Sequence, residues 1–360
     1  MEAHFHAISN GQHAIRPLGE ILGNASPHRS LPGAWITPRE LLNHRKWAPA
    51  SMAALHVARQ AITMAGWDAA QREETALILG TSRGNAAGWL APWPGRRPFR
   101  LMAASNTIHS EPATAISIEL GILGENHVVA SGCSAGLDAL GLGKMLLDSG
   151  KIQRVLIVAV DLPLVPNLLD HYHLSGLLSP REVLDPFSPE SDGFIPAEGA
   201  AAIALSAGVS GKILLSHFSN NSDGADPVGI PKHGGRTHLL LNQAIKEVGQ
   251  PTAICPHATG TKTQARAERQ IFGNFTTHPD LTFHLLKPFL GHTIGASGLL
   301  ESAILLRFLM AGLLPPNLAG TSSPDGWNFP TEPIPSHSNI FKLAHGMGGH
   351  NSLAVFQALQ

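Results

Sequence analysis

The chain has 360 residues, with 25 Lys and Arg against 26 Asp and Glu and a formal charge of −1. It therefore lacks the basic surplus that supplies much of the affinity for nucleic acid. Charged residues make up 14% of the chain, against about 25% in ordinary soluble domains, while apolar residues stand at 43%. That combination implies extensive buried surface, in a thick multilayer core or a subunit interface. The 37 glycines and 27 prolines fall short of a low-complexity composition, so global disorder is not expected. Two cysteines, Cys133 and Cys255, make no disulfide framework and suggest a reducing compartment. The first eleven residues lack the apolar core of a secretory signal. The most apolar stretch, 299–314, is interrupted by Glu301 and Arg307 and is shorter than the ~20 residues a membrane span needs. A soluble cytoplasmic protein, not inserted in a membrane, is the expectation, and the length suits two domains or one large one.

In chain order, short apolar runs alternate with helical patterns, the signature of an α/β protein. Residues 51–66 carry apolar side chains at helical spacing. Residues 76–80, 127–131 and 155–161 read as buried strands, and 134–148 as a helix with Leu137, Leu140, Leu142 and Leu146 on its apolar side. A second series begins after Ala207. Strands are expected at 212–215, 253–256 and 281–286, a helix at 264–271 and a long helix at 295–310. Strands at 341–344 and 352–357 flank a glycine turn. Both parts hold strand, glycine-bearing turn and buried helix in similar order, so the chain reads as two packed halves, 1–207 and 208–360.

Four segments have the residue types that catalysis needs. In Ser131-Gly132-Cys133-Ser134-Ala135-Gly136 a strand enters a tight turn and Cys133 sits where the next helix begins. Free N–H groups at a helix N-terminus favour thiolate, which suits a nucleophile; the same pattern also suits a buried structural cysteine. In Lys287-Pro288-Phe289-Leu290-Gly291-His292, a strand is expected to end at Lys287, and His292 stands at the turn before the long helix. A neutral imidazole there donates to a carbonyl oxygen or exchanges a proton, and Glu301, nine residues on, is suited to orient a lysine or a water. The loop His345-Gly346-Met347-Gly348-Gly349-His350 exposes backbone N–H groups of the kind that stabilise an oxyanion, or forms no more than a hairpin turn. His257-Ala258-Thr259-Gly260-Thr261-Lys262-Thr263 follows a strand and otherwise reads as a polar turn with a threonine helix cap.

Taken together, in this order and spacing, the four segments resemble the β-ketoacyl-ACP synthases, the elongating ketosynthases of fatty-acid and polyketide pathways. Asp185-Pro186-Phe187, Asp192-Gly193-Phe194 and Glu198-Gly199-Ala200 are similar to that family's link between its halves. The resemblance implies the thiolase fold, α/β, with two similar halves stacked in five αβαβα layers and paired as a dimer through the first half. It implies an acyltransferase that takes an acyl chain from acyl carrier protein onto Cys133 and condenses it, decarboxylatively, with malonyl-ACP. By position His292 is the second catalytic histidine, Lys287 and Glu301 support it, and the N–H groups of Cys133 and Met347, beside Gly348, hold the oxyanion. The only cofactor implied is the phosphopantetheine arm of the carrier; no metal is expected.

Three departures accompany the resemblance. The family's first catalytic histidine position, before Gly260-Thr261-Lys262-Thr263, is Thr259, and the nearest histidine is His257, two residues upstream. A displacement of several Å would put that imidazole out of catalytic reach, so weak condensation at this site is expected. Met347 stands at the aromatic gate position. The family's N-terminal strand is missing, so the sheet of the first half is expected to lack one strand or borrow another. An acylated but poorly condensing subunit, and a chain-length-factor-like partner that shapes the acyl tunnel of an active ketosynthase in a heterodimer, therefore stand beside the autonomous enzyme. Arg45, Lys46, Arg96, Arg97 and Arg100 are candidates for meeting an acidic carrier protein.

Overall fold

The computed structural model describes residues 1–86, 104–208, 211–275, 280–336 and 339–359. Arg96, Arg97 and Arg100 lie outside them. Arg45 is exposed, whereas Lys46 lies 3.7 Å from Glu119 and over the Trp47 ring, 4.1 Å from its centroid.

Two sheets organise the chain. The first contains β1 (Ala76–Gly80), β2 (Asn126–Val129), β3 (Arg154–Asp161) and β4 (Gly199–Ser206), in the order β2-β1-β3-β4 with only β4 antiparallel. The second contains β5 (Ile213–Ser222), β6 (Ala253–Cys255), β7 (Thr282–Phe283), β8 (Ile340–Gly346) and β9 (His350–Ala358), in the order β5-β9-β8-β6-β7. β1 and most of β3 are buried at every position, because helices cover both faces of a parallel sheet and leave no solvent side to call for polar alternation.

Successive side chains still divide between faces. Leu77, Leu79, Leu156 and Val158 pack outward against α1 (Pro49–Ala65) and α2 (Glu111–Leu120). Ile78, Val155, Ile157 and Ala159 point inward, where α3 (Ala135–Asp148) and α7 (Ser297–Met310) lie between the sheets. The inner face of the second sheet meets the same helices through Ala253, Ile340, Ala344 and Phe356. Its outer face packs Ile254, Phe341, Leu353 and Val355 against α5 (Thr237–Val248) and α6 (Lys262–Phe272). The label α4 is used for Pro166–Leu174, the helix after β3. Five layers result. The central helices touch at glycines: a Cβ on Gly136 would stand 2.8 Å from the Gly295 carbonyl oxygen, and one on Gly298 would stand 2.9 Å from Leu137 Cβ.

Several elements differ from the pattern in the sequence. The strand expected over 281–286 keeps only Thr282–Phe283: the Leu285 N–H is taken by the Asn317 side chain at 2.8 Å, and Pro288 starts a single helical turn at Lys287–Leu290. Lys287 therefore begins a turn instead of ending a strand. The strand expected at 212–215 runs to Ser222, held by a full antiparallel pairing with β9. Among the described residues the first sheet has four strands and the second five. Among the described residues the position β5 fills beside β9 has no counterpart beside β4, and residues Glu2–Ser9 form a helix whose Phe5 packs on Phe308.

Candidate active site

The equivalent turns of the two halves meet at one cavity of about 360 Å³. Cys133 reaches it on the short 3-10 turn Gly132–Ser134, which runs into α3. His292 reaches it from the loop before Ile294–Ala296 and α7, the counterpart of that turn. Asp161, at the end of β3, ties the halves together. Its carboxylate accepts the Thr81 hydroxyl and the backbone N–H groups of Ser82, Arg83 and Gly295. Burial pushes its pKa up to about 6 against those bonds, which favour the anion. Gly295 allows this approach: a Cβ there would stand 2.5 Å from both Asp161 Oδ2 and Ser82 N.

The Cys133 sulfur is 3.3 Å from His292 Nε2, and His292 Nδ1 is 3.4 Å from the Ser297 hydroxyl. That hydroxyl donates to Glu301 Oε1 at 2.6 Å, which also accepts from Lys287 Nζ at 2.7 Å. Glu301 Oε2 lies 2.8 Å from Lys342 Nζ. One buried carboxylate thus holds two buried ammonium groups. Burial alone raises its pKa, but the two lysines outweigh that and take it down to about 2. The sequence pattern anticipated Lys287, His292 and Glu301; Lys342, inside a strand with apolar neighbours, gave no signal.

Burial moves the other groups toward neutrality. The His292 pKa falls to about 3, first by burial and then by the Lys287 charge, so the ring is a neutral imidazole. The orientation that satisfies it has the thiol donating to Nε2 and Nδ1–H donating to Ser297. The lowered thiol pKa expected from the helix N-terminus is not found: burial takes Cys133 up to about 11, with Asp161 adding to the rise. The Met347 N–H and the Lys287 and Arg83 charges pull the other way without overcoming it. The resting group is a thiol beside a neutral base. Met347 and Gly348 lie on the turn between β8 and β9. The Met347 side chain lines the cavity, and its N–H is directed at the sulfur.

The turn after β6 does not carry His257 away. The His257 and Ala258 N–H groups donate to the buried Glu268 carboxylate at 2.7 and 3.1 Å. Ala258 takes a left-handed φ of 45°, and the His257 ring lines the cavity 5.4 Å, centroid to centroid, from the His292 ring. Thr259 also lines the cavity, its hydroxyl 3.3 Å from that of Thr261. A third imidazole belongs to His345, which opens the glycine loop read from the sequence for its backbone N–H groups and was given no role of its own. His345 is 5.7 Å from His257, with Nδ1 accepting from the Gln264 amide at 2.8 Å and Nε2 donating to Thr237 at 3.1 Å. Its place on β8 could have been found only by noting that inward positions of that strand face the Cys133 turn. Among the described residues, no group of three His, Cys, Asp or Glu side chains is arranged to hold a metal ion, and no helix is long and apolar enough to cross a membrane.

Two family models match the chain: the β-ketoacyl synthase N-terminal domain over residues 34–208 and its C-terminal domain over 214–321. The chain is 26% identical over 264 residues to the tetracenomycin polyketide synthase ketoacyl synthase alpha subunit of Streptomyces glaucescens, an alignment covering 67% of this chain and 62% of that one. It is 30% identical over 244 residues to a highly reducing polyketide synthase of Alternaria alternata, covering 62% of this chain and 9% of the relative. It thus spans less than two thirds of either relative. Two solved structures share the fold at TM-scores of 0.82 and 0.85. One is a type II polyketide ketosynthase in complex with its acyl-carrier protein (23% identical, 99% of this chain, 94% of that one). The other is the ishigamide ketosynthase/chain length factor (19% identical, 100% and 95%). The chain belongs to the β-ketoacyl synthase family and has its thiolase fold.

Proposed function

We propose that this member of the β-ketoacyl synthase family is a condensing acyltransferase of type II fatty-acid or polyketide synthesis, acting in the cytoplasm on chains carried by acyl carrier protein. The observation that carries the reading is the Cys133–His292 contact of 3.3 Å inside a cavity that also holds the His257 ring. In the first step the thiol proton passes to His292 Nε2, and the sulfur attacks the thioester carbonyl of the carrier's phosphopantetheine arm. The N–H groups of Cys133 and Met347 hold the oxyanion, and the carrier thiolate leaves with the proton. In the second step malonyl-ACP loses CO2. The neutral imidazoles of His257 and of His292, the latter now in its Nε2–H tautomer with Nδ1 accepting from the Ser297 hydroxyl, donate N–H groups to the thioester oxygen as it takes up charge. The carbanion attacks the acyl group on Cys133, releasing the cysteine sulfur. Lys287 and Glu301 set the potential around His292 without touching the substrate.

His257 is given this role because Thr259 has no ionisable group and because the imidazole two residues upstream already faces the sulfur's cavity. A second reading, a chain-length-factor-like partner in a heterodimer, draws support from one contrast. His292 is anchored through Ser297, whereas His257 Nδ1 is buried with no partner among the described residues. Intact-protein mass spectrometry after acyl-ACP and then malonyl-ACP, with and without a second ketosynthase, separates the two. An adduct on Cys133 that turns over to β-ketoacyl-ACP unaided supports the autonomous enzyme. An adduct that persists removes condensation from the reading. Product that appears only with the second ketosynthase, with no adduct on this chain, makes it a tunnel-shaping partner.

A further inference from the structure

The cavity beside Cys133 holds one fixed charge. Arg83 lies on the turn after β1, its backbone N–H held by Asp161 at 2.8 Å, and its side chain lines the cavity. Its Nε–H donates to the Tyr172 hydroxyl at 3.1 Å, and the guanidinium carbon lies 5.5 Å from the centre of that ring. Tyr172 is itself fixed: it is buried on α4 and packs edge-on against Phe194, which packs edge-on against His292. Among the described residues, no other Lys or Arg lines the cavity and neither does any Asp or Glu. Among the described residues no carboxylate pairs with the Arg83 guanidinium. Asp161, the nearest candidate by sequence, is occupied by three backbone N–H groups and a hydroxyl. The three histidines are held neutral by burial.

The rest of that wall is apolar: Leu177, Phe194 and Ile294 line the cavity with Tyr172. A plain alkyl chain filling it would strip water from the guanidinium and offer nothing in return, which is costly for a charge. A carboxylate would meet the free face of a planar fork already oriented by Tyr172, the geometry in which arginine binds such groups best. We propose that Arg83 determines specificity for the acyl group loaded on Cys133, selecting a chain that ends in a carboxylate over an alkyl chain of equal length. The inference rests on the acylation of Cys133 proposed above. The carboxylate of a malonyl extender has the same chemistry, and the experiment separates the two sources.

The test compares the N-acetylcysteamine thioesters of hexanoic acid and of adipic acid esterified at one end, both with six carbons. In each, a Cys133 S–C bond forms as the N-acetylcysteamine C–S bond breaks, and the thiol proton leaves on the released thiol. Adduct formation at Cys133 is followed by intact-protein mass spectrometry. The wild type should load the adipyl group about tenfold faster or more, the scale of one charge-assisted hydrogen bond, and Arg83→Gln should bring the ratio to about one. Equal rates in the wild type, or a ratio unchanged in Arg83→Gln, overturn the proposal. So does a variant that slows decarboxylation of malonyl-N-acetylcysteamine while leaving the adipyl-to-hexanoyl ratio alone, because the carboxylate is then the extender's. Calorimetric binding of free adipate and hexanoate to Cys133→Ala stands independently of acylation. Preferential adipate binding that Arg83→Gln abolishes upholds the Arg83 site even where no thioester leaves an adduct, a result that would remove only the acylation reading. Absence of that preference overturns the Arg83 site.

Discussion

Replacing Glu301 by glutamine changes little in shape but removes the charge on which two lysines depend. The wild-type carboxylate lies 2.7 Å from Lys287 and 2.8 Å from Lys342, and all three groups are buried. In the variant one lysine can still meet an amide oxygen, but the other faces an amide N–H, donor against donor. Breaking a buried ion pair on one side costs about 3–5 kcal/mol. The pKa gives a second route to the magnitude. A fall from 4.5 in the unfolded chain to about 2 in the folded one corresponds to about 3 kcal/mol. The folded pKa is depressed, so this contribution is present above pH 4.5 and is lost as pH falls toward 2. Urea denaturation followed by circular dichroism at pH 7 should show Glu301→Gln less stable by about 3 kcal/mol or more. At pH 3.5 the gap should narrow by roughly 1 kcal/mol, since every other carboxylate titrates alike in the two proteins. A gap below about 1 kcal/mol at pH 7, or one that ignores pH, would refute an ionised Glu301 holding both lysines.

Gly295→Ala forces a methyl group to 2.5 Å from Asp161 Oδ2 and the Ser82 nitrogen. It should cost about 1–3 kcal/mol in urea unfolding and slow Cys133 acylation by moving the two turns apart; a fully stable and active variant would show that the contact relaxes freely. His257→Ala should leave acylation of Cys133 intact and lower condensation by ~10²-fold or more, read as persistence of the acyl adduct after malonyl-ACP is added. Thr259→His should raise condensation where the rest of the site is competent, and product formation no faster than in the wild type would count against that. With its pKa raised to about 11, Cys133 should be alkylated by iodoacetamide at a rate that climbs with pH beyond 9, mapped by peptide mass; a rate already level at pH 8 would mean a much more acidic thiol.

The parts of the fold that were legible are those where one physical requirement dominates. β1 and β3 read correctly because a strand covered on both faces must be apolar throughout, and α3 and α7 because their glycines and leucines recur at helical spacing. β4 was not read as a strand. Its sequence, Gly-Ala-Ala-Ala-Ile-Ala-Leu-Ser, has low strand propensity and is a strand because eight residues pair in register with β3. Within the site, Cys133, Lys287, His292 and Glu301 lie in segments marked by glycine turns, and His345 stands at the edge of one that was read for its backbone N–H groups alone, whereas Lys342 belongs to a strand whose neighbours are ordinary core residues. What joins them is the stacking of two sheets, which no local pattern records. His257 is the sharpest case: chain spacing argued that two residues of displacement would lose the imidazole, and the left-handed Ala258 bends the turn so that the ring faces the cavity.

The unequal sheets bear on which parts of this architecture the chemistry needs. In the second half β5 covers the outer edge of β9; in the first half nothing among the described residues pairs along the equivalent side of β4. Yet Cys133, His292, His257, His345 and Asp161 lie on β3, β8, the turn after β6 and the turns leading into α3 and α7, none of them on the outer edge of either sheet. A strand paired along that side of β4 would sit at the far edge of the first sheet, separated from the cavity by β4 and β3. Sheet edges mainly contribute pairing and solvent exclusion, so their loss is felt in stability and association before it is felt at the site. Asp161 illustrates the division: it closes three hydrogen bonds to the turn after β1 and one, from Gly295, to the turn of the other half, and none of them involves an edge strand. The 3.3 Å Cys133–His292 contact thus depends on the inner strands and turns, and it stands in a half whose sheet has four strands among the described residues.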